Sequence, residues 1–228
     1  MIRTVLFDLD DTILDFKRAE GIALREALRR MGLEPTDNVV SRYSVINRRQ
    51  WELLEDKVLT RERVLVRRFE LLFEEFGIAA DAPAAQHLFH SLLSQGHYFI
   101  PGAVEMLDAL KGKYDLYIVS NGTAAVQEPR IASAQIAPYF KDIFCSELIG
   151  ADKPDLLFFE RCFARIADFR KDEAIIIGDS LTSDIRGGIN AGLATCWFNP
   201  AHLPEKNGIH ADYQVDRLSD IPALLARL

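Results

Sequence analysis

Short apolar runs that alternate with longer helical patterns constrain the fold of this chain more than any other feature. The runs with the length and composition of buried strands are residues 5–7, 116–119, 143–145, 174–177, 194–198 and 213–215. Helical periodicity fills most of the intervals between them. Strands that alternate with helices predict an α/β protein whose parallel sheet is joined by right-handed crossovers.

One long helical stretch interrupts this alternation after the first strand. Between residues 15 and 95 apolar side chains recur at helical spacing, with Thr60 as a helix N-cap and Gly32 and Gly77 as helix ends. Four amphipathic helices of this length predict a small bundle with its own core, in which the aromatic residues are packing residues. We therefore assign residues 1–14 and 98–228 to an α/β core domain and residues 15–97 to a helical domain.

The first apolar run ends in Asp8, Asp10 and Asp11, followed by Thr12. Ionised carboxylates are costly to place at the end of a buried strand, because they resist desolvation. A divalent cation would offset that cost, and oxygen ligands of this kind suit Mg²⁺. Side chains two residues apart share a direction on a strand, so one carboxylate could attack while the other handles protons. The alternative is a solvated turn, where Asp and Thr are common.

Three further polar segments follow later apolar runs or lie between them. They are Ser120-Asn121-Gly122, Lys153-Pro154 and the segment 178–184, which contains Asp179 and Asp184. With the DxDxT segment at residues 8–12, these segments resemble, in order and spacing, the four motifs of the haloacid dehalogenase-like (HAD) phosphohydrolases. The resemblance extends over essentially the whole chain.

This resemblance implies a Rossmann-like parallel sheet, the HAD fold, with a four-helix C1 cap inserted after the first strand. It places the strand before Asp8 beside the strand before Asp179, with the strand order reversing between them. Ligands of such sheets bind at the carboxyl ends of the strands at this point of reversal. The helical domain would then lie above the site as a lid.

The resemblance also implies catalytic roles for the first two carboxylates. Asp8 would be the nucleophile that accepts a phosphoryl group, the alternative being metal ligation only. Asp10 would protonate the leaving oxygen and later take a proton from the attacking water. Dehalogenases of this superfamily lack an Asp at that place, so Asp10 favours phosphate esters as substrates.

The same resemblance implies a magnesium site and a phosphate site. Asp8, the backbone carbonyl of Asp10, Asp179 and a second acidic candidate, Asp184, would surround Mg²⁺, although Asp184 could instead cap the following helix. A further group of residues would bind phosphate. This group comprises the Ser120 hydroxyl, the backbone N–H groups of Asn121 and Gly122, and Lys153, which would also hold Asp8. Taken alone, each of these two motifs is typical of a turn.

Two segments are similar to house-cleaning pyrimidine 5′-nucleotidases: residues 187–199, and the cap segment 47–60 with Trp51. Trp51 could stack on a base, although we expect a core tryptophan. The predicted substrate is a pyrimidine nucleoside 5′-monophosphate. The alternatives are a phosphatase for phosphoglycolate or another small metabolite, a β-phosphoglucomutase, for which we find no cap groups, and a non-catalytic binding module.

Composition limits partners and compartment. A formal net charge of −7 disfavours binding to nucleic-acid polymers. Three widely spaced cysteines without a CxxC motif, Cys145, Cys162 and Cys196, predict buried thiols in a reducing compartment. Met1 runs almost directly into the first strand and no apolar stretch would span a membrane, so we expect a cytoplasmic monomer or homodimer without membrane partners. The histidines lack metal-ligand spacing and are expected at the surface or in the cap.

Two local features carry structural expectations. Pro129 falls inside a predicted helix and should kink it or delay its start, because proline removes a backbone hydrogen bond. Gly187, Gly188 and Gly192 are interpreted as packing and turn glycines rather than a phosphate-binding loop.

Overall fold

The computed structural model describes residues 1–206 and 208–228, and within them six strands form one parallel sheet in the order β3-β2-β1-β4-β5-β6. The strands are β1 (Thr4–Phe7), β2 (Asp115–Ser120), β3 (Asp142–Cys145), β4 (Ala174–Gly178), β5 (Ala194–Phe198) and β6 (Tyr213–Val215). The predicted α/β class is confirmed.

Strand β1 lies in the middle of the sheet, where every one of its residues is buried. Leu6 is in register with Tyr117 of β2 on one side and with Ile176 of β4 on the other. A strand covered on both faces has to be apolar throughout, which explains the uninterrupted apolar run in the sequence. The strand order reverses between β1 and β4, as predicted, and Asp8 and Asp179 follow these two neighbouring strands.

The α-helices of the described residues match most predicted positions. They are α1 (Phe16–Arg30), α2 (Asp37–Glu55), α3 (Arg61–Phe76), α4 (Ala82–Leu93), α5 (Ala103–Leu110), α6 (Ala124–Ser133), α7 (Ser146–Ile149), α8 (Leu156–Phe163), α9 (Arg186–Ala191) and α10 (Ile221–Leu225). The short helix α7 was not predicted, and α8 ends four residues earlier than expected. Helix α6 begins at Ala124 and continues through Pro129, so a delayed start is wrong.

Helices α1 to α4 pack around a core of their own. At its centre the ring of Tyr43 lies 5.1 Å from that of Phe69 and 5.5 Å from that of Phe89. The Thr60 side chain accepts a hydrogen bond from the Arg63 N–H at the start of α3, and Gly77 ends that helix with a φ of 61°. Tyr43, Phe69, Phe73 and Phe89 of the insertion are packing residues, as predicted.

Two antiparallel linkers connect this bundle to the sheet. The Asp15 N–H donates to the Tyr98 carbonyl at 2.7 Å, and the Ile100 N–H donates to the Ile13 carbonyl at 3.0 Å. The linkers leave from the carboxyl end of β1, so the bundle stands over the edge of the sheet where the polar motifs lie. Among the residues described here, no helix has both the length and the apolar character needed to cross a membrane.

The glycine pair at the start of α9 lies against the sheet. A Cβ on Gly188 would approach the Ile176 Cγ2 to 2.4 Å and the Thr195 Cγ2 to 2.7 Å, and one on Gly187 would approach the Phe159 ring to 2.7 Å. Gly192 ends α9 with a φ of 73°. These contacts confirm the interpretation of packing and turn glycines, and they let α9 lie close to β4 and β5.

We predict that Gly188→Ala lowers the free energy of unfolding by about 1–3 kcal/mol, because the added methyl group overpacks a rigid interface. The matched control is Gly21→Ala in α1, where the new Cβ would meet only Val40 Cγ1 at 4.0 Å. This control should raise stability by up to about 1 kcal/mol, since alanine is the better helix former. Urea unfolding measures both, and a Gly188→Ala protein as stable as the wild type would contradict the packing role.

Candidate active site

A buried lysine joins the ends of three strands at the carboxyl edge of the sheet. The Lys153 Nζ donates to Asp8 Oδ1 at 2.8 Å, to Asp184 Oδ1 at 2.6 Å and to the Val119 carbonyl at 2.7 Å. Only 1% of the lysine side chain is exposed. All three ammonium protons therefore have an acceptor, and Lys153 is not the surface residue that a Lys-Pro turn alone would suggest.

Asp179 completes a cluster of carboxylates with Asp8 and Asp184. One side-chain oxygen from each lies within 4.8 Å of the other two. The carbonyl of Asp179 accepts a hydrogen bond from the Trp197 Nε1 at 2.8 Å, which fixes the chain at the end of β4. A set of donors made only of carboxylate oxygens, with a single lysine for compensation, fits a hard divalent cation.

Burial dominates the electrostatics of this cluster. It raises the pKa of the Asp8 carboxyl to about 8, against the opposing charge of Lys153. It also raises the pKa of Asp179 well above its ordinary value, and the charge of Asp8 adds to the effect. Burial lowers the pKa of Lys153, but the adjacent Asp184 and Asp8 outweigh it and hold the pKa above the ordinary lysine value. Without a bound cation, the site thus holds more carboxyl groups than its one lysine can keep ionised.

The sequence pattern predicts a regular helix over residues 184–191, but Asp184 lies within a π-helical turn, Leu181–Ile185. Its Oδ2 accepts from the Ser180 N–H at 3.0 Å, while its Oδ1 accepts from Lys153. Helix α9 begins after Ile185, which supplies no side-chain cap. The alternative that Asp184 caps the following helix is therefore wrong.

The carboxylate of Asp10 contacts helix α6 instead of joining the cluster. Its Oδ1 accepts from Arg130 Nη1 at 2.6 Å, and its Oδ2 accepts from Gln127 Nε2 at 2.7 Å. Asp10 remains partly exposed, whereas Arg130 is fully buried. The next residue, Asp11, has a φ of 58° and accepts from the Lys17 N–H at 3.1 Å, at the first linker to the bundle.

The Ser120-Asn121-Gly122 segment forms the turn that follows β2. The Ser120 Oγ accepts from the Gly122 N–H at 3.1 Å and from Gln127 Nε2 at 2.9 Å. The Asn121 side chain donates to the Lys153 carbonyl at 2.9 Å and accepts from the Lys153 N–H at 2.8 Å. The Gly122 N–H is therefore directed at Ser120, which corrects its expected availability to phosphate, and the Asn121 side chain positions the lysine loop.

An open cavity of about 200 Å³ lies above these residues, between the sheet edge and the bundle. The bundle side of its wall consists of Phe16, Trp51, Glu55, Arg68, His90 and Leu93. Trp51 is half-buried and stands outside the aromatic core of the bundle, so the core-tryptophan interpretation is wrong. Arg61 extends over the Trp51 ring at 5.5 Å and donates to the Asn121 carbonyl at 2.6 Å.

Two groups on this wall have shifted pKa values. Burial and the nearby charge of Arg68 lower the pKa of His90 to about 4, so its imidazole is neutral near pH 7. Burial raises the pKa of Glu55 to about 7, although the Thr182 hydroxyl opposes this. The cavity therefore combines a floor of carboxyl groups with a wall that contains the apolar Phe16, Trp51 and Leu93 and a neutral imidazole.

Comparison with known proteins identifies the family. The family model of the haloacid dehalogenase-like hydrolases matches residues 2–192. The chain belongs to this family. The predicted HAD fold and the prediction of an enzyme are thereby confirmed.

Relatives within the HAD-like hydrolases include a putative HAD-hydrolase, YfnB of Bacillus subtilis, which is 40% identical over 98% of this chain and 95% of its own. Its crystal structure superposes with a TM-score of 0.94 over 98% of both chains. The pyrimidine 5′-nucleotidase PynA of Streptococcus pneumoniae is 38% identical over 95% of this chain and 92% of its own. An L-2-haloacid dehalogenase from Xanthobacter autotrophicus shares the fold at 15% identity, with a TM-score of 0.80 and full coverage of both chains.

Sequence reasoning missed Gln127 and Arg130, which hold Asp10. A signal was present, because the two residues lie one helical turn apart and directly follow a motif at the end of a strand. Arg68, His90 and Glu55 were also missed. They lie on helices whose orientation over the sheet is set by tertiary packing, so no local pattern marks them.

We predict that Asp179→Asn changes how stability depends on pH in the presence of a chelator. A carboxyl whose pKa is raised by folding keeps a proton that the unfolded chain loses, so the free energy of unfolding falls as pH rises above about 4. Asparagine removes this dependence. The gain in stability over wild type should grow from pH 5 to pH 8, by up to about 1.4 kcal/mol per pH unit.

Urea unfolding at the two pH values measures this difference, and the exposed Asp56, exchanged for Asn, is the control. A gain for Asp179→Asn that is the same at pH 5 and pH 8 would contradict a raised pKa.

Proposed function

We propose that this HAD-like hydrolase is a Mg²⁺-dependent phosphatase that hydrolyses pyrimidine nucleoside 5′-monophosphates through an aspartyl phosphate on Asp8. The observation that carries the proposal is the joint position of Asp8, Lys153 and Asp10 at the floor of one cavity. Phosphoryl transfer to a carboxylate needs three groups. They are a nucleophile, a fixed positive charge and a second carboxylate held in a separate hydrogen-bond network.

Magnesium fits the cluster because Asp8, Asp179 and Asp184 are oxygen donors and burial raises the pKa of Asp8 and Asp179. The backbone carbonyl of Asp10 is a further candidate ligand, and Asp184 binds the ion either directly or through its neighbours. When bound, Mg²⁺ would neutralise charge on the phosphate and on the attacking carboxylate. The solved YfnB structure is described as bound to magnesium, which supports this assignment.

The chain's own residues supply the remaining steps. Asp8 attacks phosphorus while Lys153 holds the Asp8 carboxylate. Because the three ammonium protons of Lys153 already have acceptors, the expected bond from Lys153 to phosphate is replaced by the attraction of its positive charge. The Ser120 Oγ already accepts two hydrogen bonds, so its own proton is left to donate to the phosphate. The backbone N–H of Asn121 is a further candidate donor. Asp10 then protonates the leaving oxygen and, in the second half of the reaction, accepts a proton from water.

Residues 15–97 act in this proposal as a cap domain on the core formed by residues 1–14 and 98–228. Arg61 of α3 contacts Asn121 and also pairs with Ser146 and Asp152 of the core, so it links the two parts beside the site. The YfnB structure is described as revealing interdomain movement. A cap that closes in this way would exclude water from the reacting phosphate.

The substrate class rests on the cavity wall and on the relatives. Trp51, Phe16 and Leu93 present flat and apolar surface that suits a base, and the neutral His90 offers both a donor and an acceptor. PynA is named a pyrimidine 5′-nucleotidase, as is YjjG of Escherichia coli, 28% identical over 98% of this chain and 97% of its own. A cytoplasmic site of action agrees with three buried, unpaired thiols.

We predict that Asp8→Asn lowers the Mg²⁺-dependent hydrolysis of p-nitrophenyl phosphate and UMP by at least about 10⁴-fold, because the nucleophile is lost. Asp172→Asn, an exposed change far from the cavity, is the control and should keep wild-type rates. Initial rates with and without chelator measure the effect. Folded wild-type protein that turns over neither substrate would favour a binding module.

We predict that Trp51→Leu raises KM for UMP by roughly 5- to 100-fold, because it removes the stacking of one base, which contributes about 1–3 kcal/mol. Phosphoglycolate is too small to reach this wall, so its KM should change less than twofold. Steady-state kinetics on both compounds checks this. Wild-type kcat/KM for phosphoglycolate equal to that for UMP would point to a small-metabolite phosphatase instead.

A further inference from the structure

The two oxygens of the Asp10 carboxylate are held by two residues of the same helix. Arg130 donates from Nη1 to Oδ1, and Gln127 donates from Nε2 to Oδ2. These residues lie three positions apart on α6, so their side chains leave the same face of the helix. Two separate donors on two oxygens fix both the position and the plane of a carboxylate that is otherwise free to rotate into the cavity.

The two donors are also bonded to one another and to the phosphate-binding turn. The Gln127 Oε1 accepts from Arg130 Nη1 at 2.7 Å, and Gln127 Nε2 also donates to Ser120 Oγ at 2.9 Å. Gln127 and Arg130 expose 1% and 0% of their surface, so water cannot readily replace these bonds. Ser120 and Asp10 thereby stand at a fixed separation across a single glutamine.

Gly122 makes room for this arrangement. A Cβ at Gly122 would lie 2.2 Å from Gln127 Nε2, 2.6 Å from its Cδ and 2.8 Å from its Cγ. Any larger residue would displace the glutamine from Ser120 and Asp10. The glycine of the Ser120-Asn121-Gly122 segment therefore serves the approach of Gln127.

The same guanidinium is attached to the second linker of the bundle. The Arg130 Nε donates to the Gly96 carbonyl at 2.8 Å, and its Cζ lies 5.8 Å from the Phe16 ring at the start of α1. Arg130 thus contacts both ends of the helical insertion as well as Asp10. A shift of the bundle would act on the carboxylate through this one side chain.

We propose that Gln127 and Arg130 are positioning residues that aim the Asp10 carboxylate at the leaving oxygen of the ester. The inference rests on the acid–base role proposed above for Asp10. In this inference helix α6 holds the Asp10 carboxylate at a fixed position relative to Ser120, the proposed phosphate ligand. Displacement of a catalytic group by about 1 Å can cost roughly 10²-fold in rate, so the loss of either donor should be measurable.

Two aryl phosphates of the same shape test this role. Phenyl phosphate needs a proton on its leaving oxygen, whereas p-nitrophenolate leaves readily without one, since the nitro group stabilises the anion. Because kcat/KM reports the steps up to release of the alcohol, Arg130→Met and Gln127→Met should lower kcat/KM for phenyl phosphate by roughly 10- to 100-fold. The loss for p-nitrophenyl phosphate should be less than about threefold, and Arg130→Lys should restore part of the rate.

A double-mutant cycle separates positioning from general damage. In an Asp10→Asn background neither Arg130→Met nor Gln127→Met should lower kcat/KM for phenyl phosphate further by more than about twofold, because the group they aim is gone. Arg68→Met is the matched control. It removes another buried arginine, one bonded to Asn47 and Gln86 of the bundle, and should affect both aryl phosphates by the same factor.

The outcomes distinguish this inference from the proposed function. If Asp10→Asn lowers both aryl phosphates equally, the acid–base role of Asp10 is wrong. If Asp10→Asn is selective for phenyl phosphate but the Arg130 and Gln127 variants are not, the positioning role alone is overturned. A full additional loss in the Asp10→Asn background overturns it as well. Thermal melts of every variant identify any that fails to fold, and Gln127→Met, which removes no charge, serves where Arg130→Met does not fold.

Discussion

The hydrogen bonds of the Lys153 ammonium group connect the strand ends that form the site, and the rest of the site depends on them. The ammonium group lies between Asp8, which follows β1, and Asp184, which follows β4, and it also bonds the carbonyl of Val119 in β2. Without it, adjacent carboxylates would be buried with no counter-charge, a situation that costs roughly 3–5 kcal/mol when one partner of a buried pair is removed. The lysine in turn is held by Asn121, so the polar motifs that follow β1, β2 and β4 form one hydrogen-bond network.

The helical insertion forms the wall of the cavity above this network, but it has an apolar core of its own. Its aromatic core of Tyr43, Phe69 and Phe89 is separate from the apolar layers on the two faces of the sheet. Contacts between the two parts lie near the cavity and combine the buried Val126 of α6, which packs against the bundle core, with the polar bonds of Arg61 and Arg130. Each part therefore has an apolar core of its own, and the side chains around the cavity hold the two parts together.

The sequence predicts the floor of the site better than its wall, for a physical reason. Asp8 and Asp179 follow buried parallel strands, which end at one edge of the sheet, and the family resemblance predicts that these two strands are neighbours. Their arrangement agrees with the chemistry inferred from the motifs, although their roles stay predictions. Trp51 was misjudged because an apolar periodicity does not tell which side of a helix faces a core and which faces a cavity. The π-helical turn around Asp184 was missed because no local pattern marks it, and the Asp184 side chain is held by Lys153, 31 residues away.

The fold alone does not specify the reaction, whereas the residues around Asp10 bear on it. The dehalogenase from Xanthobacter autotrophicus has this fold, so the sheet and the bundle by themselves leave the reaction open. Under the proposed function the reaction depends on Asp10, whose carboxylate is held by Arg130 and Gln127 outside the cluster of Asp8, Asp179 and Asp184. Gly122 is needed for this arrangement, because only its missing side chain lets Gln127 reach both Asp10 and Ser120. Helix α6, which follows the second motif, therefore contributes to the proposed chemistry of this site as much as the motifs themselves do.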